Sequence, residues 1–86
     1  MPYHKNKQQA FQAAQQGVTE AQDVYENIVK DSADYGQQLK HLKQEVNEAF
    51  AQIENALENA SEKQRKRLEQ YREDLSAIVE EVNLDE

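Results

Sequence analysis

Eighty-six residues, 31% charged and 37% hydrophobic with a net charge of −7, make at most one small domain with a modest core. The absence of cysteine excludes disulfides, thiolate nucleophiles and cysteine metal sites. The acidic balance excludes the broad basic field that general binding to DNA or an anionic membrane requires.

Charge is spread unevenly. Residues 1–30 are neutral overall, residues 31–60 carry −4, and residues 61–86 carry −3 although they hold half of the ten basic residues. With two Gly, one Pro, no Trp and abundant Ala, Gln and Glu, the composition favours helix over sheet. The spacing of the apolar residues has to decide whether the chain folds, because so polar a composition lies near the disordered range.

Residues 1–5 read as a frayed tail. The opening MPYHKNKQQAFQAAQQ has Lys5 and Lys7 but lacks the apolar segment of a secretory signal. No run of about 18 apolar residues occurs, so no membrane span is expected and the cytoplasm is the default location. A first helix is predicted over about residues 6–30. Its stripe is Phe11, Ala14, Val18, Ala21, Tyr25 and Ile28, widened by Val24 and Val29. With Ala14 and Ala21 in the seam and a neutral, Gln-rich surface, this helix is expected to pack most loosely, free to exchange for a partner's helix.

The stretch DSADYGQQ, residues 31–38, gathers Asp31, Ser32, Asp34 and Gly36, which favour caps and turns. Heptad phase nevertheless runs through it, from Ile28 to Ser32, Tyr35 and Leu39. A break here gives three helices of similar length that can cover one another as an antiparallel bundle. Without it, one helix of about 55 residues, roughly 80 Å, would face a much shorter partner and need a second chain. The three-helix bundle is the expected fold, and a long helical hairpin that dimerises is the alternative.

The second helix is predicted over about residues 36–59, with Leu39, Leu42, Val46, Ala49, Ile53 and Ala56 in its stripe and Phe50 and Leu57 beside it. A turn is expected near residues 59–61, where Asn59 can cap one helix and Ser61 with Gln64 forms a capping box for the next. The third helix, about residues 62–82, carries Leu68, Tyr71, Leu75, Ile78 and Val82, with Val79 alongside. Residues 83–86 read as a second tail.

Candidate chemistry is sparse. His41 and Glu45 share a helix face, but two ligands do not hold a metal, and the Glu-x-x-His pattern of di-metal bundles fails because residue 38 is Gln. Ser32 and Ser61 sit where caps are expected and Ser76 flanks the third stripe, none in the setting of a nucleophile, and no Gly-rich phosphate loop exists. No enzyme activity, cofactor, metal or small-molecule substrate is expected.

The stretch SEKQRKRLEQYR remains, with Lys63, Arg65, Lys66, Arg67 and Arg72. On a helix these side chains spread around the surface, within reach of Glu62 and Glu69, while Arg65 and Arg67 point toward Glu54 and Glu58 of the second helix. A solvated, salt-bridged face is the plain reading. An anion or nucleic-acid site is the alternative, for which these five residues are the candidates. The function expected is therefore a non-catalytic protein-protein interaction or regulatory module, acting on a protein partner or on itself. A structural or storage role in dormant cells is a further alternative.

Residues 34–82, through NALENAS and QRKRLEQYREDL, resemble the small acidic helical proteins of unknown function found in spore-forming, Bacillus-type bacteria. The resemblance implies a cytoplasmic protein and transfers no functional residues.

Overall fold

The computed structural model describes residues 7–28 and 33–82. Three helices form, α1 Lys7–Glu26, α2 Tyr35–Leu57 and α3 Glu62–Val82, and each packs against the other two. No strand occurs among the described residues. Direction follows from pairwise contacts. Gly17 lies against Ala49, while Asp23 and Asn27 share a groove with Gln38 and His41, so α1 and α2 run antiparallel. Arg72 meets Glu54 while Val79 lies near Val46, so α2 and α3 also run antiparallel. This is the three-helix bundle. The single long helix is excluded because α1 stops at Glu26 and α2 folds back along it.

The local chemistry explains where each helix ends. α1 is shorter than the expected 6–30. The Asn27 amide and the Asn27 side-chain Nδ2 both donate to the Asp23 carbonyl, at 3.1 and 2.7 Å, and the Ile28 amide turns to the Tyr25 carbonyl. The bond to Asp23 is the last that spans four residues, and the Ile28 amide, reaching back only three, tightens the final turn where the helix ends. Val29 and Ser32, both expected to continue the apolar register, lie outside the described residues, as do the tails at 1–5 and 83–86.

α2 begins one residue earlier than expected, with the Gln38 amide donating to the Asp34 carbonyl at 3.0 Å. It ends at Leu57, and Glu58, not Asn59, takes the cap position with a right-handed backbone. Glu58 and Asn59 amides then close a tight turn onto Asn55 and Ala56 carbonyls. α3 starts as the sequence predicts. The Ser61 amide donates to Gln64 Oε1 and the Gln64 amide to Ser61 Oγ, each at 3.2 Å, a reciprocal capping box.

The core follows the three stripes. α2 contributes Leu42, Val46, Ala49, Ile53 and Ala56, and α3 contributes Leu68, Leu75 and Ile78. α1 contributes Ala10, Ala14, Val18 and Ala21, small residues throughout. They do not make α1 the loose element. α1 packs more closely on α2 than α3 packs on either, and Ala14 and Ala21 are completely buried. Small side chains let two backbones approach, and the closest point is Gly17, where an added Cβ would lie 3.3 Å from Ala49 Cα. Wider apolar residues, among them Phe11, Tyr25, Phe50 and Tyr71, are half-buried around this centre. No buried polar side chain lacks a hydrogen-bond partner among the described residues.

Candidate functional site

The basic stretch occupies the first half of α3, immediately after the capping box. Leu68 and Tyr71 fix its rotation. Leu68 is fully buried, and Tyr71 stacks obliquely on Phe11 of α1 with ring centroids 6.3 Å apart. With those two side chains inward, Lys63, Arg65, Lys66, Arg67 and Arg72 are all exposed.

Of the five, Arg72 finds a partner, its guanidinium 2.9 Å from Glu54 Oε2 across the α2–α3 seam. The sequence places Arg65 and Arg67 opposite Glu54 and Glu58, but the bridge falls one turn later, because the crossing of the two helices brings Arg72 level with Glu54. Side-chain exposures of 45% and 63% leave this bridge in water, where it contributes about 0–1 kcal/mol. Lys63, Arg65, Lys66 and Arg67 have no ion-pair partner among the described residues, and the helical pairs expected with Glu62 and Glu69 do not form. Farther along α3 the side chain of Gln70 donates to Asp74 at 3.1 Å.

This charge runs against the helix dipole. Residues 62–72 hold five cations and two carboxylates, net +3, whereas residues 73–82 hold four carboxylates and no cation, net −4. Lys63 and Arg65 therefore stand in the first turn, at the positive end of α3, and Glu80 and Glu81 in the last, at its negative end, each unfavourable by a few tenths of a kcal/mol. The acidic Glu62 in the first turn offsets part of this.

Elsewhere the surface offers shallow grooves. Between α2 and α3 a groove of about 330 Å³ is floored by Val46, Phe50 and Val79, with Lys43 on one lip and Glu80 on the other, and Ser76 lies in its wall. Near the end of α1, Val24 and Ile28 with His41 border a second, more apolar groove. His41 Nε2 lies 3.4 Å from Glu45 Oε2, the pair expected from their spacing. No group of three potential metal ligands occurs among the described residues. On the α1–α3 side, the Tyr25 hydroxyl donates to the Glu81 carboxylate. That bond, then partial burial and the carboxylate's charge, raise the phenol above its ordinary value. Ser61 is a cap, and Ser32 lies outside the described residues.

No helix of the described residues is long and apolar enough to cross a membrane. No protein-family model matches the chain, and neither a curated protein nor a solved structure is significantly similar to it. Function has to be argued from the residues themselves.

Two features escape a reading of the sequence alone. The α2–α3 groove depends on which flanks of two stripes face each other, and helical spacing does not fix that. The charge reversal along α3 is visible in the letters, but counting net charge over residues 61–86 conceals it.

Proposed function

We propose that the protein is a non-catalytic helical interaction module of the cytoplasm whose contact surface is the outward face of α3. One observation carries this reading: four exposed cations stand without ion-pair partners among the described residues, at the start of a helix whose apolar side is buried in the core. Among the described residues these side chains make no ion pair, and Lys63 and Arg65, in the first turn, oppose the helix dipole. A surface that is locally unfavourable in the free protein becomes favourable when an acidic surface is brought against it.

Supporting this, the interior consists of hydrophobic side chains, so the chain's polar chemistry lies on its surface. The same cations favour one competing reading, an anion or nucleic-acid site. Its weakness is the four carboxylates that follow on the same helix, which repel a long polyanion.

The test is recovery of partners from a cytosolic extract on immobilised protein, with and without nuclease. Wild type is compared with a variant carrying Lys63→Gln, Arg65→Gln, Lys66→Gln and Arg67→Gln. Protein recovered after nuclease treatment, and lost with the variant, is the expected result. Recovery that disappears with nuclease would replace this reading with the nucleic-acid one.

A further inference from the structure

Three surfaces stand out once the core is accounted for: the α2–α3 groove, the apolar groove near the end of α1, and the outer face of α3. The first two are shallow, and nothing about them selects an occupant. The third does, through its charge order.

Lys63, Lys66, Gln70, Glu73, Ala77 and Glu80 recur at alternating steps of three and four and are all exposed. They form one stripe on the face of α3 turned away from the core. The stripe is basic in its first half and acidic in its second, over a helix of 21 residues, about 30 Å long. A free anion or a nucleic acid would neutralise the first half and be repelled by the second. The complement of this stripe is a helix of the same length, acidic where α3 is basic. α3 itself, reversed in direction, is such a helix.

We infer that α3 is a self-recognition surface, on which a second copy of this chain docks its own α3 antiparallel, with the two-fold axis near residues 71 and 72. This rests on the reading of α3 as the contact surface and names its partner. In that register Lys63 of each copy lies opposite the acidic end of the other, around Glu80 and Glu81, and Gln70 lies opposite Glu73. Opposite ends of the two helix dipoles also come together, which relieves the unfavourable charge order of the free helix. Ala77, the small residue of the stripe, faces Lys66 and leaves room for its aliphatic stem.

Screening gives the pairing a signature. Each copy carries −7 and repels the other at long range. At about 0.15 M salt the screening length is about 8 Å, so distant repulsion fades while charges facing across the helix pair still attract. At 1 M it falls to about 3 Å and the attraction fades as well. Little apolar area lies on the stripe to hold the pair together in its place.

The experiment is sedimentation equilibrium on the full chain, wild type and two charge-reversed forms. One form carries Lys63→Glu, Lys66→Glu and Arg67→Glu. The other carries Glu73→Lys, Asp74→Lys and Glu80→Lys. Circular dichroism establishes that each is helical. Wild type is expected to dimerise at 0.15 M salt, with a dissociation constant raised about ten-fold or more at 1 M. Each reversed form alone is expected to be monomeric, and an equimolar mixture of the two to form a heterodimer. A wild type that stays monomeric at about 1 mM, or a mixture that fails to associate, overturns self-recognition. If the monomeric wild type still retains an extract protein that the first reversed form loses, contact through α3 survives and its partner is another protein. If wild type instead binds heparin, used as a polyanion probe, and retains no protein, both readings fall.

Discussion

The same substitution at the two glycines of this chain should stabilise at one and not at the other. Gly36 lies in the first turn of α2, and nothing stands within 4 Å of a Cβ added there. Gly36→Ala therefore gains helix propensity without hindrance, about 0.5 kcal/mol or somewhat more. Gly17 lies mid-helix in α1, where the propensity gain is about 0.5–1 kcal/mol. There the new Cβ would stand 3.3 Å from Ala49 Cα and 3.4 Å from Ala49 Cβ. Carbon atoms prefer about 3.5–4.0 Å, and Ala49 Cα is backbone that cannot swing aside, so the two helices must part by a few tenths of an ångström. That separation loosens the fully buried Ala14 and Ala21 as well. The propensity gain should be cancelled at Gly17→Ala, and Gly17→Leu should cost about 1–3 kcal/mol as an overpacked contact. Urea unfolding followed at 222 nm reads all three. Gly36→Ala should raise the midpoint by about 0.3–0.7 M, Gly17→Ala should leave it within error, and Gly17→Leu should lower it clearly. If Gly17→Ala stabilises as much as Gly36→Ala and Gly17→Leu is tolerated, the close α1–α2 approach is wrong.

Ser61→Ala removes the acceptor of the Gln64 amide and should cost about 1 kcal/mol, lowering Tm by about 4–8 °C in a scan by differential calorimetry. Tyr25 has a phenol pKa raised in the folded protein by its bond to Glu81. The contribution of that bond is fully present below the unfolded-state value of about 10 and is lost as pH rises through the higher folded-state value. Wild type should thus lose stability relative to Tyr25→Phe as pH rises above about 10, read as converging urea midpoints, and parallel midpoints would rule the bond out. Arg72→Gln should shift stability by less than about 1 kcal/mol, because the bridge to Glu54 is exposed, and 0.5 M salt should erase most of the difference.

Much of this fold is legible in the residue order. Every fully buried position of α2 and α3 falls on a stripe that helical spacing marks, and the capping box at Ser61 and Gln64 forms as its pattern requires. Where the reading fails, the cause is tertiary. Ala14 and Ala21 look like a weak stripe when hydrophobicity is counted side chain by side chain. They form the tightest seam because what they omit allows the backbones of α1 and α2 to meet. Ala10 is buried although the stripe begins at Phe11, whose ring is half-exposed against Tyr71. The end of α1 at Glu26 is marked by the Ile28 amide turning to the Tyr25 carbonyl three residues back, a local detail that periodicity does not contain. For the candidate site, the identity of the cations is plain in the sequence. Which of them pairs is not, since Arg72 and Glu54, 18 residues apart in the chain, meet only through the crossing of two helices.

Self-recognition through the outer face of α3 is tested most directly by a dilution series of amide nitrogen–proton spectra on the wild-type chain, from about 1 mM to 10 μM at 0.15 M salt. Resonances of exposed residues between Lys63 and Glu81 should move with concentration, while those along the Gln-rich outer face of α1 stay fixed. A spectrum unchanged across the series, or one whose changes gather on α1 or in the α2–α3 groove, would contradict it.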